Sequence, residues 1–327
     1  MKNIIKCIYY LNQIRGRKLR DILIYATNRC NSKCLHCNIW KQKPKLDLDL
    51  EIFEDMLTAK CTNSKLYKTR FGLEGGEFIL HPKYKEILQL FNDMEKEYFL
   101  LSNGSLPKKL IETVREFGIK ELIISLDGNK RVHAKVRGID IFNNIIYIID
   151  QLKKETNISL TYTATPYNSA KDYIFVKEFC KKNRLNMYFS IFADYKLFNV
   201  THDVEATKKS NLISNYPIDN RYAELYNQWR NNKLNLPCIS PLFRITVNPN
   251  GDIPFCCGKK IILGNLYESK LDDIWYSMKT KKIQKMFINK CNDCWISCHR
   301  AADIFYMDYF NSNLPGFISR KIIEYYA

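Results

Sequence analysis

Three cysteines crowd one short polar stretch, Thr27-Asn-Arg-Cys30-Asn-Ser-Lys-Cys34-Leu-His-Cys37. Thiolates from a single loop can hold three corners of a cubane iron–sulfur cluster, and the missing fourth ligand leaves one iron open for reaction. A zinc site is the alternative, but it wants four protein ligands and would have to add His36 or a distant residue. Buried free thiols suit apolar surroundings, whereas Asn28, Arg29, Asn31, Ser32 and Lys33 make this loop polar. Six further cysteines, Cys238, Cys256, Cys257, Cys291, Cys294 and Cys298, fall in the last third, while Cys7, Cys61 and Cys180 read as core residues.

Four other polar motifs stand between the two cysteine groups: Gly72-Leu-Glu-Gly75-Gly76-Glu77, Ser102-Asn103-Gly104, Ser125-Leu-Asp127-Gly128 and His133-Ala-Lys-Val-Arg137-Gly138. Paired glycines let backbone approach a ligand closely, and a carboxylate can accept from an ammonium. Taken singly, each motif is equally a turn or a helix cap.

The elements that must position these motifs follow from periodicity. Short β-branched or aromatic runs alternate with longer amphipathic ones, the pattern of repeated βα units around a parallel sheet. Six strands are expected, at Asp21–Ala26, Lys68–Glu74, Tyr98–Ser102, Leu122–Leu126, Ser159–Thr165 and Met187–Phe192, with helices such as Glu51–Lys60, Tyr84–Lys96, Pro107–Phe117 and Ala170–Lys182. Six units fall short of the eight that close a full barrel, so the fold class is α/β, a partial, open (β/α)6 barrel. That layout puts the polar motifs at the carboxyl ends of successive strands, on one rim, where such folds build active sites. Residues 195–235 are polar and Asn-rich, and tight turns at Asn248-Pro-Asn-Gly-Asp252 and Gly264-Asn265 follow them. A boundary is expected near residue 235, giving a basic N-terminal extension (1–20), the barrel (21–235), a cysteine-rich unit (236–302) and a helical tail (303–327).

A chain of 327 residues with 46% hydrophobic content can bury one or two cores, which excludes a disulfide miniprotein and a disordered tail. Its N-terminal apolar stretch is broken by Lys6 and lacks a cleavage site, and no window is apolar enough for a membrane span. Twelve cysteines in such a chain read as metal ligands in a reducing, cytoplasmic compartment. A basic amphipathic helix resting on a membrane is the alternative for the N-terminus. The excess of 51 basic over 34 acidic residues, +17, suits a solvated lysine-rich surface, an acidic protein partner or an anionic substrate. Nucleic acid is not expected, because no recognition motif or basic-aromatic stripe accompanies the charge.

The three-cysteine loop resembles the signature of the radical SAM superfamily, and the later motifs extend the resemblance. It implies that Cys30, Cys34 and Cys37 ligate a [4Fe–4S] cluster whose open iron takes S-adenosylmethionine, which is reductively cleaved to a 5′-deoxyadenosyl radical. Gly75-Gly76-Glu77 is similar to the family's GGE motif, with Glu77 on the methionyl amino group. Ser102-Asn103-Gly104 looks like its T-N-G. Ser125 and Arg137 would meet the carboxylate of S-adenosylmethionine, and Asp127 the ribose or the strand end. Ala134 stands where the family often has Asp.

Cys238-x12-Gly251-x4-Cys256, with Leu263-Gly-Asn265, Trp275 and Cys291-x2-Cys294, resembles the SPASM/twitch extension. A single auxiliary [4Fe–4S] cluster on Cys238, Cys256, Cys291 and Cys294 is implied, with Cys257 or Cys298 as alternative ligands and a zinc ribbon as the rival reading. Cys257 is also a candidate hydrogen-atom donor to a substrate radical.

The implied activity is hydrogen-atom abstraction from a substrate C–H bond, leading to oxidation or epimerisation, in an enzyme of oxidoreductase or transferase type. Peptide-modifying relatives usually carry a leader-binding domain ahead of the loop, and 29 residues precede Cys30 here. A small molecule such as a sugar or cell-envelope precursor is therefore favoured over a peptide or protein. An acidic flavodoxin or ferredoxin is the expected electron donor. Two rivals are a non-catalytic electron carrier, which would need all irons capped, and a zinc-dependent nucleic-acid module, which leaves the rim motifs unexplained.

Overall fold

The computed structural model describes residues 16–64, 68–192, 212, 213, 215–218, 221–236, 238–288, 290–297, 299, 300, 303, 304 and 308. The N-terminal extension as far as residue 15, with Cys7, lies outside them, as do Cys298 and most of the tail after residue 303.

Seven strands form one sheet: β1 (Asp21–Tyr25), β2 (Arg70–Glu74), β3 (Tyr98–Ser102), β4 (Glu121–Ser125), β5 (Asn157–Ala164), β6 (Asn186–Ile191) and β7 (Arg244–Val247). Their order is β6-β5-β4-β3-β2-β1-β7, and every neighbouring pair is parallel. Parallel neighbours need crossovers. These carry α1 (Leu50–Thr58), α2 (Tyr84–Asp93), α3 (Pro107–Phe117), α4 (Lys130–Arg137), α5 (Phe142–Leu152) and α6 (Ala170–Asn183).

Side-chain alternation sorts the two faces of the sheet. In β1, Ile22 and Ile24 join the helix-covered core, whereas Asp21, Leu23 and Tyr25 line the concave side. Local signals set the helix ends. Pro107 sits in the first turn of α3, Ser169 and Asp172 form a capping box on α6, and the Asn129 side chain accepts from the Val132 N–H at the start of α4.

The half-barrel matches the expected class, with one strand more than the six expected. β7 lies beyond residue 235 yet continues the sheet past β1, pairing Asp21 with Arg244 and Ile24 with Val247. At four residues it is too short for its period to show in sequence, and it covers an edge that β1 would otherwise leave unpaired. After α7 (Arg221–Arg230) and β7 come an antiparallel ribbon, β8 (Asp252–Pro254) with β9 (Ile262–Asn265), then α8 (Leu271–Tyr276) and α9 (Met278–Phe287). Asp272 accepts from the backbone N–H groups of Lys60 and Cys61 at 2.7 and 2.9 Å, and Asp55 from that of Leu271 at 2.7 Å. These bonds clamp the cysteine-rich unit onto the crossover between β1 and β2. Among the described residues no helix is long and apolar enough to cross a membrane.

Candidate active site

The three-cysteine loop leaves the carboxyl end of β1 and is tied down on both flanks. On one side Asp47 accepts from Thr27 Oγ1 at 2.6 Å and Arg29 Nε at 2.9 Å, and Asn28 Oδ1 accepts from the Leu46 N–H at 2.9 Å. On the other, the loop finishes helix α4. The N–H groups of Lys33 and Leu35 donate to the last carbonyls of that helix, Arg137 and Val136, at 3.0 and 2.9 Å. Those carbonyls would otherwise lack partners. Gly138 makes the approach possible: its φ is +66°, and a Cβ there would stand 2.7 Å from the Lys33 carbonyl oxygen.

Gly75 and Gly76 press on the loop from β2. The Gly76 and Glu77 N–H groups donate to the carbonyls of Thr27 and Arg29, both at 2.8 Å. A Cβ on Gly76 would lie 2.2 Å from the Arg29 carbonyl oxygen and 2.7 Å from Cys30 Cβ. Gly76→Ala is therefore expected to push Cys30 out of place, destabilise the fold by about 1–3 kcal/mol and lower the iron held by the loop. Denaturant titration and iron content after anaerobic reconstitution check it; wild-type values in both would refute it.

Eight of the expected residues, Cys30, Cys34, Cys37, Gly75, Gly76, Asn103, Ser125 and Arg137, line one cavity of about 500 Å³ inside the half-barrel. Arg137 Nη1 lies 3.8 Å from Cys34 Sγ, and Asn103 Nδ2 lies 3.9 Å from Cys30 Sγ and donates to Asn31 and Ser32. Burial pushes the thiols of Cys30 and Cys37 up to about 12 and about 11. Only a cationic partner would ionise them at neutral pH, which is what cluster iron supplies. Among the described residues no three His, Cys, Asp or Glu side chains converge as ligands of a single metal ion. A cubane does not require such convergence, because each thiolate binds a different iron. The donor set, with amide and guanidinium groups on its sulfurs, fits a cluster.

Glu77 and Asp127 are not among the residues that line the cavity; they hold its wall, Asp127 at the strand end, one of the two roles expected of it. The Glu77 carboxylate is 1% exposed and accepts from Ser102 Oγ at 2.9 Å and the Asn103 N–H at 2.7 Å. Burial pushes it up to about 7, against the pull of those hydrogen bonds. It fixes the end of β3. Fully buried Asp127 accepts from Arg137 Nε at 2.6 Å and the Thr163 N–H at 3.2 Å. Burial alone would raise its pKa, but Arg137, with His36 and His133 beyond it, holds the carboxyl below the usual range. Asp127 thus aims Arg137 into the cavity. His133 supports the same turn: burial and Arg137 push its imidazole down to about 4, and neutral Nδ1 accepts from the Asp127 N–H at 3.1 Å.

Cys238, Cys256, Cys291 and Cys294 lie within electrostatic reach of one another, and Ser297, three residues beyond Cys294, lines the cavity. Cys256 feels the charges of Cys294 and Cys291, and Cys238 those of Cys294 and Cys256. Burial lifts Cys256 up to about 12 and Cys238 well above the ordinary thiol value. Cys257, 1% exposed, packs its sulfur 3.9 Å from Thr246 Oγ1 and is not among the cavity-lining residues. The candidate hydrogen donor thus stands off the cavity wall.

Two features escaped the sequence reading. Fully buried Arg300 bonds Cys294 O, Leu236 O and Asn292 Oδ1 at 2.8 to 3.0 Å, and pairs with Asp303 at 3.2 Å. Glu74 lines the cavity directly before Gly75. Its signal was its place on the inward face of β2, two residues beyond Gly72 and four beyond Arg70.

A parallel half-barrel with a three-thiol loop on its rim, backed by amide and guanidinium donors, is the architecture of an iron–sulfur enzyme whose cluster keeps one iron open. Residues 24–180 match the radical SAM superfamily and residues 238–295 the SPASM iron–sulfur cluster-binding domain, so the chain belongs to the radical SAM superfamily with a C-terminal SPASM domain. Its cofactors are accordingly a [4Fe–4S] cluster, S-adenosylmethionine and auxiliary iron–sulfur. It is 29% identical over 173 residues to a probable GTP 3′,8-cyclase of Methanocaldococcus jannaschii, a match covering 51% of this chain and 56% of that protein. The chain thus spans little more than half the length of that curated relative. In fold it is similar to Streptococcus suis SuiB bound to S-adenosylmethionine (TM-score 0.59, 15% identity, 86% of this chain and 72% of that one). It is likewise similar to anSMEcpe with bound AdoMet and a peptide (TM-score 0.57, 17% identity, 94% and 98%).

Proposed function

We propose that this chain is a radical SAM enzyme that abstracts a hydrogen atom from a C–H bond of a small molecule held inside the half-barrel. One observation carries the reading: the three cysteines of the loop, Gly75, Gly76, Asn103, Ser125, Arg137 and Ser297 beside the auxiliary cysteines line a single cavity. Bound there, S-adenosylmethionine supplies on reduction the organic radical that attacks the substrate. The protein's part is placement. Cys30, Cys34 and Cys37 hold the cluster, the Gly75-Gly76 backbone with Asn103 and Ser125 receives the methionine end, and Arg137, aimed by Asp127, meets its carboxylate. Apolar walls of Leu23, Phe99, Leu101 and Ile123 exclude water that would quench a radical. Cys238, Cys256, Cys291 and Cys294 would hold one auxiliary cluster, which would supply an electron acceptor for a net oxidation or an anchor for the substrate.

The test is anaerobic: reconstitute the protein, add S-adenosylmethionine and dithionite or a reduced flavodoxin, and quantify 5′-deoxyadenosine. Formation of 5′-deoxyadenosine with reductant, and none without it, is expected. No cleavage by a protein carrying its full iron would overturn the reading. A peptide substrate is the second reading, supported by the peptide held by similarly folded anSMEcpe.

A further inference from the structure

Most charged groups facing the cavity have an opposite charge beside them. Asp21 accepts from Arg20 Nε at 2.8 Å and from Arg244 Nη2 at 2.9 Å. Arg70 pairs with Glu121 and stacks on Phe99, 4.4 Å from the ring centre, and Arg137 pairs with Asp127. Each arginine lining the cavity thereby has a carboxylate beside it, Asp21 serving both Arg20 and Arg244, and among the described residues no lysine lines it. Glu74 is the exception. It alternates inward with Arg70, and its carboxylate has no hydrogen-bond or ion-pair partner among the described residues. Burial pushes it up to about 7, with Arg244 and Arg70 pulling only partly the other way.

A carboxylate left unpaired in a low-dielectric site is costly, so a group that completes it from the ligand side gains more there than in water. Polyanions find each arginine of these walls already hydrogen-bonded to a carboxylate, whereas a cationic nitrogen finds Glu74. Leu23, Phe99, Leu101 and Ile123 offer an apolar lining for an aliphatic stem. Taking the cavity as the substrate chamber, as proposed above, we infer that Glu74 is a receptor for an ammonium group, which selects an amine-bearing substrate over a nucleoside triphosphate. The same chemistry is offered by the amino group of S-adenosylmethionine, and the experiment separates the two sources.

Calorimetry on the reconstituted, oxidised protein compares wild type, Glu74→Gln and Glu74→Asp, with iron content as the folding control. The probes are S-adenosylmethionine, then pentylamine, pentanol and GTP on protein saturated with S-adenosylmethionine. Saturable pentylamine binding that weakens about tenfold in Glu74→Gln and recovers in Glu74→Asp, with no such change for pentanol and no saturable GTP binding, supports a substrate amine. A tenfold loss of S-adenosylmethionine affinity in Glu74→Gln without pentylamine binding supports the ammonium site and assigns it to the cofactor. Equal behaviour of wild type and Glu74→Gln toward both amines, or saturable GTP binding, overturns the inference. Should Glu74→Gln lose iron, wild type alone carries the comparison: pentylamine binding saturably and at least tenfold more tightly than pentanol supports the inference, and equal affinity for the two overturns it. Failure of the proposed activity shows separately, as absence of 5′-deoxyadenosine on reduction.

Discussion

Changing Cys30, Cys34 and Cys37 together to alanine is expected to remove about four of the roughly eight irons per chain and to abolish 5′-deoxyadenosine formation. The remaining iron then belongs to the C-terminal cysteines. Their site does not depend on the first loop, because its backbone is held by Tyr222 and Trp229 of α7 and by bonds from Asn292 to Leu234 and from Ile239 to Asp303. Fold loss should be modest, since the loop is fixed by Thr27, Asn28, Asp47 and Gly138 and not by the thiols. Iron and acid-labile sulfide, with 5′-deoxyadenosine by chromatography, are the measurements. A fall from about four irons to none would make the C-terminal set a zinc or structural site, and wild-type iron in the variant would remove the loop from the cluster altogether.

Arg300→Met is expected to cost about 3–5 kcal/mol, the range for breaking a buried ion pair from one side, and to empty the auxiliary site while the first cluster stays. Both side chains are 0% exposed. Asp303 accepts from the Ile239 and Ser240 N–H groups at 2.9 and 3.0 Å, next to Cys238. Burial already pushes its carboxyl up to about 6 with Arg300 present. Without the guanidinium, Asp303 is left uncompensated, and the segments bearing Cys238 and Cys294 lose their bridge through Leu236 O, Asn292 and Cys294 O. Adding Asp303→Asn removes the orphan charge and should recover a large part of the stability, though not the bridge. Chemical denaturation and iron content read the two effects apart; an Arg300→Met protein as stable as wild type, with full iron, would sink both.

Charge alone was a poor guide. A net +17 points outward to anions, yet inside the cavity Arg70, Arg137 and Arg244 are each matched by a carboxylate. Net charge counts surface lysines and is blind to pairing between residues as distant in sequence as Asp21 and Arg244.

By itself the sequence determined the βα alternation, the rim and the cluster loop, because these rest on local patterns: periods of two and 3.6, glycines at turns, and cysteines three and four residues apart. Tertiary structure alone decided what each rim carboxylate does. Glu77 and Asp127 carry the motif but turn into the wall, where Ser102, Asn103 and Arg137 engage them, while Glu74 beside the paired glycines is left facing the cavity. Likewise β7 joins the barrel, Cys257 leaves the cavity wall, and Arg300 bridges the auxiliary cysteines. A side chain's partner depends on which strands lie side by side, and contacts between residues tens to hundreds of positions apart leave no periodic trace in one chain.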